Sequence, residues 1–130
     1  MNEDIVGFLR TRFDEDDDLA RRSDGDGCGQ WIANGWTVDF CQSDISGFHP
    51  TIAKHVARHD PERVLREVAA KRRTLDRHSR SSTANGPKLP RGNRNHCRYD
   101  GKAWPCPDLL DLALPYADHP DYRPGWKPSH

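Results

Sequence analysis

Ile5, Phe8, Leu9 and Phe13 recur at helical spacing, and Ala20 falls on the same side two turns later. The pattern predicts a first helix over about residues 3–22, opened by Asn2 or Asp4 as cap and ended by Gly25 and Gly27. Within it the run Asp14-Glu15-Asp16-Asp17-Asp18 is too acidic to bury and reads as a solvated face turned toward a basic partner segment. Residues 30–40, QWIANGWTVDF, place Asn34-Gly35 between two short aromatic stretches, the signature of a tight hairpin. Trp31, Ile32, Trp36, Val38 and Phe40 supply its strand side chains, and so small a hairpin must pack on helices.

The longest periodic stretch is residues 51–78. Ile52 and Val56 begin a helical pattern that Asp60-Pro61 interrupts, with Asp60 suited to cap and Pro61 to begin a second helix. Val64, Leu65, Val68, the stem of Arg72 and Leu75 line one face of that helix. Arg63, Arg66, Arg73 and Arg77 line another, with Glu62–Arg66 and Glu67–Lys71 spaced for ion pairing. Residues 79–95 offer little to bury and read as a flexible linker. Beyond them Pro107–Leu114 forms a short apolar helix that Pro115 stops. The tail 115–130 reads as extended, clamped to the core by Tyr116, Tyr122 and Trp126.

These elements make one small domain of mainly α (small α+β) class: a helix, a hairpin, a bent helical pair, a short helix and a proline-rich tail. Leu, Ile, Val and Phe make up only 22 of the 130 residues, so the core is thin. Four Trp and a balance of 20 basic against 20 acidic residues argue against a disordered chain. The balance conceals blocks. Residues 1–50 carry a net −7, residues 51–106 a net +9 and residues 107–130 a net −2. Such blocks either neutralise one another or serve separate partners. No apolar run is long enough to cross a bilayer, and MNEDIVGFLR lacks the basic-then-apolar order of a secretory signal. A cytoplasmic protein with mostly reduced cysteines follows as the expectation, with no membrane partner.

In order along the chain, DIVGFLRTRFDEDDDLARR (4–22), HVARHDPERVLREVAAKRR (55–73) and LALPYADHPDYRPGW (112–126) resemble a family of small uncharacterised actinobacterial and actinophage proteins. The resemblance covers about 50 positions. It implies an actinobacterial or phage cytosolic protein and brings no known activity. Residues 23–50 and 79–96 lie outside it.

The candidate chemistry is sparse. Cys97 and Cys106 bracket RYDGKAWP, His96 precedes the first, and His78 ends the long helix. Two thiolates and two imidazoles suit a tetrahedral structural zinc that would compensate for the thin core. The spacer is longer than a Cys-x₂₋₄-Cys knuckle and adjacent ligands 96 and 97 are awkward, so free cysteines or a disulfide formed on oxidation compete with this reading. His55 and His59 have the i,i+4 spacing of a metal pair, but Val56 stands where a metalloprotease needs Glu. Asp24, Asp26 and Gly29 imitate a calcium loop that Cys28 and Gly35 break. Cys28 and Cys41 flank the hairpin and can face each other across it. Asp118, His119 and Asp121 sit among prolines and read as turn formers. Nucleophile-elbow, phosphate-loop and dinucleotide signatures are absent from the sequence, and no catalytic residue is assigned.

Binding is therefore the expected role. The first reading is a protein-interaction or regulatory module of unknown partner, using the Trp-bearing hairpin or the tail. The second is a nucleic-acid binder whose face of Arg63, Arg66, Arg73 and Arg77 tracks phosphates, continuing into Arg80, Lys88, Arg91, Arg94 and Arg98, with residues 1–22 as an acidic competitor. Its break at His59-Asp60-Pro61 is tighter than a helix-turn-helix, and a pI near 7.0 counts against it. A structural zinc on His78, His96, Cys97 and Cys106 is compatible with either; no other cofactor is expected.

Overall fold

The computed structural model describes residues 4–24, 27–78 and 104–128. Helix α1 (Ile5–Asp24) starts where Asp4 Oδ1 accepts the Gly7 amide at 2.9 Å. Asp4, one of the two expected caps, therefore opens the helix, which starts two residues past the expected position. Ile5, Phe8, Leu9, Phe13 and Ala20 are buried as the spacing predicts. In the acidic run, Asp17 and Asp18 pair with Arg21 and Arg22 one turn on, so part of that charge is answered within α1 itself.

Strands β1 (Ile32–Asn34), β2 (Thr37–Asp39) and β3 (Asp44–Ser46) form an antiparallel meander in that order. The first turn is offset by one residue from the expected hairpin. Asn34 pairs with Thr37, leaving Gly35-Trp36 as the central pair. Gly35 has φ +61°, while Trp36 stays at negative φ, the sign pattern of a type II′ turn with glycine first. Trp36 therefore leaves the strand for the tip. The third strand, absent from the sequence expectation, aligns Ile45 with Val38 and Asp44 with Asp39.

Helices α2 (Pro50–Arg58) and α3 (Pro61–Arg77) meet at the expected break. His49 caps α2, its Nδ1 accepting the Thr51 amide at 3.2 Å. Asp60 Oδ1 accepts the Arg63 amide at 2.9 Å, and Pro61 opens α3. Glu62 pairs with Arg66 as expected, whereas Glu67 pairs with Arg63, one turn before it, and not with the predicted Lys71. Helix α4 (Pro107–Ala113) is followed by a 3-10 turn over Leu114–Tyr116, and a second covers Pro124–Trp126. The tail is thus turned and not extended. Pro115 and Pro124 each open or nearly open a 3-10 turn, where proline's fixed φ fits and its missing N–H costs nothing.

The chain divides into two compact units. One comprises residues 1–12 and 71–130. Its centre is Phe8, with the rings of Trp126, His119, Tyr122 and Tyr116 at 5.0, 5.6, 6.1 and 6.3 Å, and Trp126 clamps the tail as predicted. The other comprises residues 13–70. There α2 lies on β1 and β2 around Val38, Ala53 and Ala57, ringed by Trp31, Ala33, Phe40, Phe48 and Val56.

Candidate functional site

In the unit of residues 13–70, Cys28 and Cys41 form a disulfide with Cα atoms 5.4 Å apart. This corrects the expectation that the cysteines are mostly reduced. The physical reason is the meander. Asp39 Oδ1 accepts the Cys41 amide at 2.8 Å and Cys41 takes φ +74°, which turns its side chain toward Cys28. The loop carrying Cys28 is itself fixed, because Gly29 O accepts the Glu62 amide and Asp60 Oδ2 accepts the Trp31 amide. Asp60 therefore joins the start of α3 to the entry of β1. Gly29 eases this approach: a Cβ there would stand 3.0 Å from Asp24 Oδ1, so that carboxylate would have to shift by a few tenths of an ångström. The disulfide edges an open pocket of about 590 Å³ with Gln30, Ile32, Asp39 and Glu62. Asp24 and Gly29 thus serve the loop's own architecture, and Asp26 lies outside the described residues.

Across β2 and β3, Asp39 and Asp44 stand directly opposite each other. Repulsion by Asp39, then a hydrogen bond to it, pushes the Asp44 carboxyl above its ordinary range. Trp36 at the β1–β2 turn is 60% exposed, as are Ile45 in the middle of β3 (49%) and Ile52 in the first turn of α2 (54%). Trp36 leans edge-on against His49, ring centres 5.9 Å apart, and its carbonyl accepts the amides of Gly47 and Phe48. The turn tip, the exit of β3 and the first turn of α2 are thus held together at one end of the sheet.

His55 on α2 and His59, its C-cap, lie with ring centres 4.4 Å apart and planes tilted by 43°, lining an open groove of about 370 Å³ with Thr51, Lys54 and Arg58. His59 Nδ1 donates to the His55 carbonyl at 2.8 Å, so that nitrogen is not available to a metal. Among the described residues no group of three or more His, Cys, Asp and Glu is arranged to hold a metal ion.

The predicted basic face divides by environment. Arg63 and Arg66 bind Glu67 and Glu62, each at 3.0 Å, while Arg77 donates to Thr74 Oγ1 and Arg73 is exposed. Arg80, Lys88, Arg91, Arg94 and Arg98 lie outside the described residues. Removing residues 1–22 to unmask this face would also remove Phe8, the centre of the other unit's core.

In the unit of residues 1–12 and 71–130, two of the four predicted zinc ligands come together. His78 and Cys106 are 2% and 0% exposed, and Cys106 Sγ stands 3.4 Å from His78 Nδ1. The opposite ring nitrogen, His78 Nε2, meets Asp108 Oδ2 at 3.0 Å. His96 and Cys97 lie outside the described residues. Sequence reasoning missed Asp108, although a carboxylate two residues after a candidate ligand at a helix start was legible. It also missed Arg12, which is 5% exposed, lies over the Phe8 ring at 5.0 Å and donates to His119 Nδ1 at 3.0 Å. The Asp121 amide donates to the same nitrogen at 3.0 Å, so His119 Nδ1 is an acceptor and orders the tail.

The fold and these sites define a small, mainly helical α+β protein with a three-stranded meander. Residues 2–128 match a family of unknown function, DUF6221, and the chain belongs to it. Neither a curated protein nor a solved structure matches the chain. No described helix is long and apolar enough to cross a membrane.

Proposed function

We propose that this chain is a non-enzymatic protein-interaction module that docks its partner at the end of the meander carrying Trp36. The observation that carries the reading is the exposure of Trp36 on a turn tip whose backbone is already fixed by hydrogen bonds to Gly47 and Phe48 and whose ring rests against His49, the cap of α2. Tryptophan is the residue most often found carrying binding energy in protein interfaces, and a pre-ordered turn lowers the entropy lost on docking. The motif resemblance supports an actinobacterial or phage setting. The nucleic-acid alternative draws less support, because Arg63 and Arg66 already have carboxylate partners.

The test compares the full chain with Trp36→Ala and Ile45→Ser as baits in parallel against lysate from an actinobacterial host. Circular dichroism verifies that each variant keeps its fold. A protein retained by the parent and lost with Trp36→Ala supports the reading. Equal retention by all three baits, or a low-salt shift of DNA by the parent with nothing retained, overturns it.

A further inference from the structure

We propose that the exposed face of α2 is a binding site for the phosphate group of a small molecule, formed by Lys54, His55, Arg58 and His59 with the Thr51 hydroxyl. These five exposed side chains line one open groove of about 370 Å³, a size suited to a small ligand, and none of them is acidic. Steps of three and four residues along the helix put them on one face. The unit's charge pairing singles this groove out. Residues 13–70 hold twelve carboxylates against six lysines and arginines. Arg21, Arg22, Arg63 and Arg66 each pair with a carboxylate one turn away on the same helix. Lys54 and Arg58 pair with no carboxylate among the described residues, although the unit has carboxylates in excess. An ammonium and a planar guanidinium one turn apart, beside a hydroxyl, match the several terminal oxygens of a phosphate.

Complementing the negative end of α2 accounts for His55 and Arg58 in its last turn, but does not reach Lys54. The histidines add a second property. His59 Nδ1 donates to the His55 carbonyl, so only Nε2 is left to meet a ligand, and it donates only when the ring is protonated. The charged groups around that ring are Lys54, His55 and Arg58 in the groove and Asp60 next in the chain. Asp60 is occupied by the amides of Trp31 and Arg63, and Arg63, which also reaches the Arg58 carbonyl, is held by Glu67. With its centre 4.4 Å from the His55 ring, a protonated His59 repels charge on its neighbour, and an anion in the groove offsets that repulsion. The site therefore holds anions more tightly in mild acid. It stands apart from the docking at Trp36.

The experiment is a nuclear magnetic resonance titration of the full chain at low salt, reading the ring signals of His55 and His59 and the amides of α2. The probes are sulfate, inorganic phosphate, adenosine monophosphate and adenosine. Saturable shifts confined to α2 and its C-cap are expected with the three anions and none with adenosine. Sulfate, which does not itself titrate in this range, should bind more tightly at about pH 6 than at about pH 8. Lys54→Gln and Arg58→Gln should each weaken phosphate binding about 10-fold, while Lys54→Arg keeps most of it. Arg66→Gln removes the same amount of charge from a paired arginine and should leave binding unchanged. Circular dichroism verifies that each variant keeps its fold. Absence of saturable shifts with all three anions overturns the proposal. Equal weakening by Arg66→Gln overturns it as well, because a diffuse field would then account for the binding. So does a DNA duplex that shifts these signals while phosphate and adenosine monophosphate do not.

Discussion

The two units solve the problem of a thin core in different ways. Among the described residues, every fully buried charged or polar side chain, Arg12 and His78, belongs to the unit of residues 1–12 and 71–130. There a ring of aromatics around Phe8 provides enough apolar surface to enclose polar groups that bind one another. The unit of residues 13–70 has a meander core whose fully buried members, Val38, Ala53 and Ala57, are small, and its aromatic side chains Trp31, Phe40 and Phe48 pack there only partly buried. It is held in addition by a disulfide, by the two-way bond of Asp60 and by a turn that admits only glycine without strain. The comparison teaches that hydrophobic area and chain-constraining links substitute for each other when a domain is small.

Removing the largest apolar group from the first unit should break the comparison most severely. Phe8→Ala deletes a ring that four others surround, at a cost of about 3–5 kcal/mol. Denaturant titration followed by Trp126 emission, with the other tryptophans replaced by phenylalanine, should show that loss. An unchanged midpoint would mean that the aromatic ring around Phe8 is not the stabilising centre. The matching change in the second unit is Cys28→Ser with Cys41→Ser. The bridged cysteines are 13 residues apart, so the loss should be about 3 kcal/mol if restriction of the unfolded chain dominates. Amide exchange should quicken in β1 and β2 and stay slow at Leu9 and Leu109. Equal quickening in both places would erase the distinction between the units.

What was legible in the sequence follows the same division of forces. Periodic apolar residues marked α1, α2 and α3, and Asp60-Pro61 marked the break, because helix spacing and capping are local chemistry. Strand β3 was not legible. Asp44-Ile45-Ser46 has one apolar side chain, and its place depends on register with β2, which no local pattern encodes. The hairpin turn was misplaced by one residue because Asn-Gly suits a turn so well that the neighbouring Gly-Trp pair was passed over. Of the candidate metal residues, His78 and Cys106 were found by type alone, although 28 positions separate them. Arg12 was invisible, since a pattern that scores arginine as polar cannot anticipate one buried over a phenyl ring.

A smaller perturbation separates the cap from the disulfide. Asp60→Ala removes acceptors for the amides of both Arg63 and Trp31, at about 1–2 kcal/mol. Asp60→Asn keeps one acceptor oxygen and should recover part of the loss. Thermal melts of the parent and both variants, repeated in the disulfide-free background, should show a larger penalty for Asp60→Ala without the disulfide, because both devices hold the entry to β1. Strict additivity would show that they act separately.

The weakest effect is the most specific to pH. Asp44 is pushed above its ordinary range by Asp39 across the sheet, so the folded protein holds that proton more tightly than the unfolded chain does. Folding is then favoured below the ordinary carboxylate range, and that advantage is lost as pH rises through the raised value. At neutral pH the two carboxylates repel, and Asp44→Asn removes the repulsion while keeping the side chain's shape. The variant should therefore melt slightly above the parent at neutral pH, and the difference should vanish in acid, where Asp44 is protonated. Salt should narrow the neutral-pH gap, because the pair is exposed to solvent. A variant that melts lower than the parent at neutral pH would mean that the Asp39–Asp44 pair supports the meander and does not strain it. Together with the Cys28–Cys41 result, that outcome would leave the thin core of this unit carrying more of its own stability than the comparison allows.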